Sequence, residues 1–382
     1  MTPIRTAIIG LSASAATSWA SGAHLPYLLS PRGRERYTIV ALLNSSVSAA
    51  EAAIKTYNLP SATKAYGSPQ DLADDPDVDF VVCSTRVDVH FDTIRPSVAA
   101  GKAVYVEWPL AQDIEHVREL VQLSREKGGR SMIGLQNRFA PPVVRVRELI
   151  ESGRIGKVLS ADVRAYGGTV HREVVPRSLD YFLRREVGGN VYTIGVGHLY
   201  DWTKSVVGKT ASATGHFQLQ RPEVKIRDPK GTATIATAKS DVPDLIAVTA
   251  TLASSPTVVK DATFQLRLRR GQPFPGEPPV WFTINGEKGE IRLTNRAGTS
   301  PHSSADPEDV RIEVHDFESD DVEGVEWDWA AWQKELPVAG RIVASLYEEF
   351  AKGGEEGRYP TFEDALAHHE ELEGMIAPFY KV

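Results

Sequence analysis

The sequence predicts an α/β domain with a doubly wound parallel sheet, followed by a larger α+β domain built on a mostly antiparallel sheet. Three observations carry this. Residues 1–140 alternate short β-branched runs with helix-length amphipathic stretches. Beyond them, strand patterns follow one another with few helices between. The 382-residue length also exceeds one ordinary core, since chains beyond ~250–300 residues divide into domains.

In order, Ile4–Ile9, Thr38–Leu43, Val78–Ser84, Ala103–Glu107 and Ser131–Gln136 read as buried strands, short and bounded by turn residues. Ser48–Tyr57 and Asp113–Lys127 read as helices between them. In the second, Ile114, Val117, Leu120 and Val121 form one apolar stripe, and Asp113 is placed to cap it. Such alternation implies parallel strands joined by right-handed crossovers.

The stretch Arg147–Gly156 ends a helix at Gly153 and leads into a strand at Lys157–Tyr166. Further strands are expected at Ala211–Gln220, Asp244–Ser254, Ala262–Arg270, Val280–Ile284 and Glu290–Thr294, with Asn285-Gly286-Glu-Lys-Gly289 between the last two as a hairpin signal. One helix is expected near Gly189–Val207. Pro222–Pro243 and Ala297–Gly324 are polar and rich in Pro, Gly, Ser and acid, and read as surface loops. Thr361 and Asp364 resemble a capping box before a helix over Ala365–Met375. The domains are therefore 1–140, binding a dinucleotide, and 141–382, for substrate and oligomerisation, with the C-terminal helices packing back on the first.

A net charge of −7 disfavours nucleic acid as a partner, because that affinity rests on Lys and Arg neutralising phosphates. No segment reaches the ~18 apolar residues that span a bilayer. The apolar run at the N-terminus is too short for a signal peptide, and Cys83 is the only cysteine. These features lead to the expectation of a cytoplasmic protein with no disulfide, no membrane contact and no metal.

The first strand runs into Gly10-Leu-Ser12-Ala-Ser-Ala15, a G-x-G-x-x-G/A pattern with serine at the middle glycine. The pattern supplies a tight turn, close backbone approach to a pyrophosphate, and close helix–strand packing. An ordinary turn after a strand explains a degenerate match about as well, but its place after the first strand of the alternating unit favours a dinucleotide. The second strand ends in Asn44-Ser45-Ser46 rather than the acid that holds the ribose of NAD. Nothing there repels a 2′-phosphate, so NADP is slightly favoured over NAD.

These residues join others in a larger pattern: Ser84-Thr85 followed by His90, Val106-Glu107-Trp108-Pro109, Gly188-Gly189, Gly197-His198 and Asp201. Together they resemble the glucose–fructose oxidoreductase / inositol dehydrogenase (Gfo/Idh/MocA) family over almost the whole chain, closest to the fungal branch that contains a galactose-pathway repressor. The resemblance implies a Rossmann domain and a nicotinamide cofactor. It implies cofactor contacts at Gly10, Ser12, Ala15, Trp19, Asn44, Ser45, Ser84, Thr85, His90, Glu107, Trp108, Pro109 and Arg138. For Arg138 a salt bridge is the equal alternative, and for Trp19 core packing is. Tyr166, His171, Tyr181 and Asp201 are the candidate substrate residues.

In the family's enzymes a lysine beside the nicotinamide and an Asp-x-Gly-x-His motif manage the proton. Here Trp108 stands at the lysine position, and Ile194 and Val196 at those of the Asp and Gly. His198 remains as the candidate acid/base, suited by a pKa near neutrality. The expected function is therefore NAD(P)-dependent hydride transfer to or from a small carbonyl, alcohol or related metabolite by a homodimer. The rival is a non-catalytic NAD(P)-binding transcriptional regulator that holds an activator peptide, with a nuclear location then open as well.

Overall fold

Strands β1 (Ile4–Ile9), β2 (Tyr37–Leu43), β3 (Lys64–Tyr66), β4 (Phe80–Cys83), β5 (Ala103–Glu107) and β6 (Ser131–Gly134) form one sheet. Its order is β3-β2-β1-β4-β5-β6, and every pairing is parallel. The computed structural model describes residues 2–12, 14, 18–167, 171–301, 306–353 and 357–381. The central strands are apolar without alternation, and Ala7, Ile8 and Phe80 through Cys83 are all fully buried. That is the signature of a sheet covered on both faces. Strand order reverses between β1 and β4, which makes their carboxyl ends the place where such sheets bind ligands.

This unit comprises Met1–Gln136, Glu186–Gly189 and Ala331–His369. Helix Val338–Lys352 buries Ile342, Val343, Leu346, Tyr347 and Phe350. The rings of Phe80 and Phe350 stack 4.4 Å apart, and Tyr347 lies 5.2 Å from Tyr37 and 5.4 Å from Tyr27. Glu348 on the same helix accepts from the Tyr27 hydroxyl at 2.7 Å and from Arg32 at 2.6 Å. Polar atoms at the rim of the aromatic cluster are thereby satisfied.

The second unit comprises Asn137–Arg185, Asn190–Ala330 and Glu370–Val382. Its strands are β7 (Val158–Gly167), β8 (Val174–Pro176), β9 (Thr210–Gln218), β10 (Glu223–Arg227), β11 (Thr234–Lys239) and β12 (Leu245–Leu252). They continue with β13 (Val258–Arg270), β14 (Val280–Gly286), β15 (Gly289–Asn295), β16 (Val310–Asp316) and β17 (Val322–Val325). The large sheet runs β17-β16-β15-β14-β7-β13-β12-β9, and a smaller one runs β11-β10-β8. Within the large sheet only β7 and β13 pair in parallel. Its central strands alternate: Val163 and Ala165 of β7 and Leu266 and Leu268 of β13 are buried, while Arg164 and Arg267 between them are exposed. Helix Gly197–Val207 covers the buried face, with Tyr200 5.7 Å from Phe264 and Trp202 5.4 Å from Phe282.

Two stretches expected to be loops are partly strand. Pro222–Pro243 contains β10 and β11, and Ala297–Gly324 contains β16 and most of β17. Strand β11 is exposed along nearly its whole length, so it shows no apolar alternation to read. In β16 the alternation of Val310, Ile312 and Val314 exists but is short and embedded in acid-rich sequence. The strand expected over Ser131–Gln136 stops at Gly134, and Gln136–Phe139 forms a 3₁₀ turn. The helix expected from Gly189 starts at Val191 with a wide π-type stretch to Val196 before becoming α-helical. Among the described residues, no helix is long and apolar enough to cross a membrane.

Candidate functional site

Gly10 ends β1 in a left-handed conformation with φ of +93°. A Cβ there would lie 2.4 Å from the Ser84 carbonyl oxygen and 2.7 Å from Thr85 Cγ2. Only glycine fits. The requirement brings Gly10, Ser84 and Thr85 together at the carboxyl ends of β1 and β4. The turn is tied down from β2: the Asn44 amide donates to the Leu11 carbonyl at 2.9 Å and the Ala49 carbonyl at 3.3 Å. Tyr57 donates to the Ser12 carbonyl at 2.9 Å, and the Ser14 N–H reaches Ser12 Oγ at 3.2 Å. Ser45 is exposed, Trp19 is half-buried before the wide turn Ala20–His24, and Ala15 lies outside the described residues.

This arrangement fits a dinucleotide in kind: a glycine turn directly after the first strand of a parallel sheet is where backbone can approach a pyrophosphate closely, and no acid stands at the end of β2 to oppose a 2′-phosphate.

His90 braces the next loop. Its Nε2 lies 3.0 Å from the Thr85 carbonyl and its Nδ1 2.9 Å from the Pro109 carbonyl, linking the loops after β4 and β5. Burial holds its pKa below the ordinary histidine value, and with a carbonyl at each ring nitrogen the side chain acts as a strut between the two loops. The Trp108–Pro109 bond is cis. Trp108 is only 4% exposed, with its indole 4.8 Å from the His368 ring and 4.4 Å from the His369 ring. His369 Nε2 accepts the Leu110 N–H at 3.2 Å, and burial pulls its pKa down to about 3. Histidines 368 and 369 carry no motif, and nothing local in the sequence points to their place against Trp108.

Glu107 faces a buried polar cluster. Its Oε1 accepts from the Tyr105 hydroxyl at 2.8 Å. His24 Nε2 lies 2.9 Å from the same oxygen, at ion-pair distance but outside hydrogen-bond alignment. His24 Nδ1 meets the Tyr347 hydroxyl at 2.8 Å across a sequence separation of 323. Gly134 makes the room, since a Cβ there would stand 2.5 Å from Glu107 Oε2.

In the second unit, Asn190 caps the stretch that carries His198. Its Oδ1 accepts from the N–H groups of Tyr192 at 2.9 Å and Thr193 at 3.0 Å, and Thr193 Oγ1 returns a bond to the Asn190 N–H at 3.1 Å. His198 is half-buried in the first turn of helix Gly197–Val207. Asp201, one turn on, is 2% exposed and is gripped by Arg138.

The other candidate substrate residues have separate partners. Tyr166 ends β7 with the Arg269 guanidinium 4.6 Å above its ring. His171 is exposed, and its carbonyl accepts from Arg270 Nε at 3.0 Å. Tyr181 packs edge-on to Phe182 at 5.0 Å.

Residues 4–135 match the family profile "Oxidoreductase family, NAD-binding Rossmann fold", and residues 141–295 match "Gal80p, C-terminal domain". The chain is 30% identical over 376 residues to the dehydrogenase aclE of Aspergillus oryzae, covering 98% of this chain and 95% of that one. It is 26% identical over 309 residues to the galactose/lactose metabolism regulatory protein GAL80 of Saccharomyces cerevisiae, covering 78% and 68%. The crystal structure of a super-repressor mutant of Gal80p from Saccharomyces cerevisiae superposes with a TM-score of 0.85 at 21% identity, over 100% of this chain and 97% of that one.

Proposed function

The chain belongs to the Gfo/Idh/MocA oxidoreductase family, and from that premise we propose that it is an NAD(P)-dependent oxidoreductase acting on a small carbonyl, alcohol or related metabolite. The observation that carries the nucleotide half of this reading is the Gly10 turn, closed to any Cβ by Ser84 and Thr85. Full-length similarity to a fungal dehydrogenase supports the catalytic half.

Gly10, Ser12, Ser84 and Thr85 would hold the pyrophosphate, and Asn44 and Ser45 would border the adenosine ribose. Bound nicotinamide supplies a hydride donor or acceptor. His198 handles the substrate proton, a task for which imidazole is suited near neutral pH. Trp108 stands where the resemblance expects lysine. Indole exchanges no proton at such pH, so Trp108 shapes the pocket by packing. The absence of an acid at the end of β2 favours NADP, with NAD accepted. A small-molecule substrate and a homodimer formed through the open face of the large sheet complete the reading.

The test is fluorescence titration of NADPH and NADH, followed by turnover against aldehydes, ketones, imines and keto-sugars. We expect saturable binding and turnover of at least one class, with His198→Ala removing turnover but not binding. Unchanged turnover in that variant would overturn the assignment of His198.

A second reading keeps the cofactor and drops the chemistry: a regulator that binds an activator peptide. The match of residues 141–295 to the Gal80p C-terminal domain favours it. Nucleotide binding without turnover on any substrate class would select it.

A further inference from the structure

Arg270 ends the buried face of β13. Ala262, Phe264, Leu266 and Leu268 point inward in alternation along that strand, and the next inward position holds a guanidinium on a residue only 4% exposed. The pattern there calls for an apolar side chain, so the charge needs an answer from its surroundings. This is the face opposite the one given to the homodimer, and association of two copies leaves it untouched.

The contacts of the guanidinium supply only part of that answer. Its Nε donates to the His171 carbonyl at 3.0 Å. Its Nη2 is sealed from solvent and, among the described residues, has no acceptor. Asp244 is buried beside it at 2% exposed, and the Asp244 carbonyl accepts the Arg270 main-chain N–H at 2.8 Å. The Asp244 carboxylate, however, is spent on other donors: Oδ1 accepts the Gln220 N–H at 2.6 Å and Oδ2 the Arg221 N–H at 3.0 Å. Burial holds the Arg270 pKa below the usual arginine value, the Asp244 charge works against that shift, and the Arg221 charge works with it. Two cations around one acid leave a positive excess.

A small cavity meets Arg270 at this point. Val175, Phe182, Leu183 and Val242 give it apolar walls, and Ser240 and Asp244 complete the lining. Its volume is about 10 Å³, room for one occupant the size of a water molecule or a halide ion and for nothing organic. A water accepts the N–H but brings no charge, and buried charges persist where they are paired. A halide ion brings the charge, accepts N–H and O–H donors, and packs against C–H walls. Ser240 Oγ accepts the Val242 N–H at 3.2 Å and spends its hydrogen only on a 3.4 Å contact to the Val242 carbonyl. A turn of that hydroxyl provides a second donor.

We propose that Arg270 and Ser240 bind a single halide ion, chloride in ordinary media, in the cavity between β8 and the inner end of β13. The ion completes a clamp: Nε holds the His171 carbonyl while Nη2 grips the ion, which fixes the segment leading into β8 against the large sheet. The site stands whether or not the chain is an oxidoreductase.

The test is thermal denaturation of the full-length protein in chloride and in gluconate at equal ionic strength. We expect the melting temperature to rise saturably with chloride, by about 2–4 °C at ten times the dissociation constant, and not with gluconate. Arg270→Met drops the charge and fills similar space, so it should stay folded in gluconate and lose the chloride dependence. Crystals of the unaltered protein soaked in bromide should show an anomalous peak within reach of Nη2, a measurement that decides the matter even if the variant does not fold. Equal behaviour in chloride and gluconate would make the occupant a water and overturn the proposal. A chloride response that survives Arg270→Met, or bromide bound only outside this cavity, would overturn it as well.

Discussion

The Arg138 guanidinium holds the Asp201 carboxylate through two parallel contacts, Nε to Oδ2 at 2.9 Å and Nη2 to Oδ1 at 2.5 Å. Asp201 is nearly sealed from water, whereas about a quarter of the Arg138 side chain is exposed, at 27%. The two partners are therefore unequal. Removing the arginine strands a buried charge, while removing the acid leaves a cation that can still reach solvent.

Arg138→Ala should thus destabilise the fold by about 3–5 kcal/mol, the range for breaking one side of a buried pair. Asp201→Ala should cost visibly less. Thermal denaturation of both variants decides it, and equal midpoints would show that the pair is not buried in the way described.

Gly134→Ala should displace Glu107, because the new methyl would meet Oε2 at 2.5 Å. Overpacking of this size costs about 1–3 kcal/mol. The displaced carboxylate would also lose the Tyr105 hydroxyl. If Gly134→Ala and wild type show the same melting temperature, Glu107 has space that the geometry denies.

His369 predicts an acid-labile unit. Its pKa is pulled down to about 3 in the fold by burial, from an ordinary value of 6.5. Between those values the unfolded chain binds a proton that the folded chain refuses, so stability falls as pH drops through that window. Above the upper value the imidazole contributes no slope. His90 is shifted in the same direction by its own burial. Urea midpoints measured from pH 7 to pH 4 should decline, and His369→Gln should decline less steeply. A parallel decline would exclude His369 as a source.

Asn44→Asp is the obvious substitution for moving the cofactor preference towards NAD, and the structure predicts that it fails. The amide donates to the Leu11 and Ala49 carbonyls, and a carboxylate would set its oxygens against both. Leaving such groups unsatisfied costs about 1–3 kcal/mol. Both nucleotides should bind more weakly in fluorescence titration. A clean switch from NADPH to NADH would contradict the geometry.

What the sequence made legible is what repeats locally. Strands β1 and β5 fall on the residues expected, the Asp113 cap accepts the His116 N–H at 2.9 Å, and Thr361 and Asp364 exchange the bonds of a capping box. Strand β11 left no trace because it is exposed along nearly its whole length, Ala238 alone being partly covered. The cluster around Glu107 was hidden for another reason: His24 and Tyr347 belong to distant segments and become neighbours only after the sheet has formed.

Because the aromatic face of helix Val338–Lys352 seals the first-made sheet, a fragment comprising residues 1–136 would leave Tyr27, Tyr37 and Phe80 bare. On the ribosome, the earliest third of the polypeptide must wait for a segment translated more than 200 positions later before its interior is closed. Shortened transcripts or premature stops within the intervening region should yield aggregation-prone product instead of a working nucleotide-binding half.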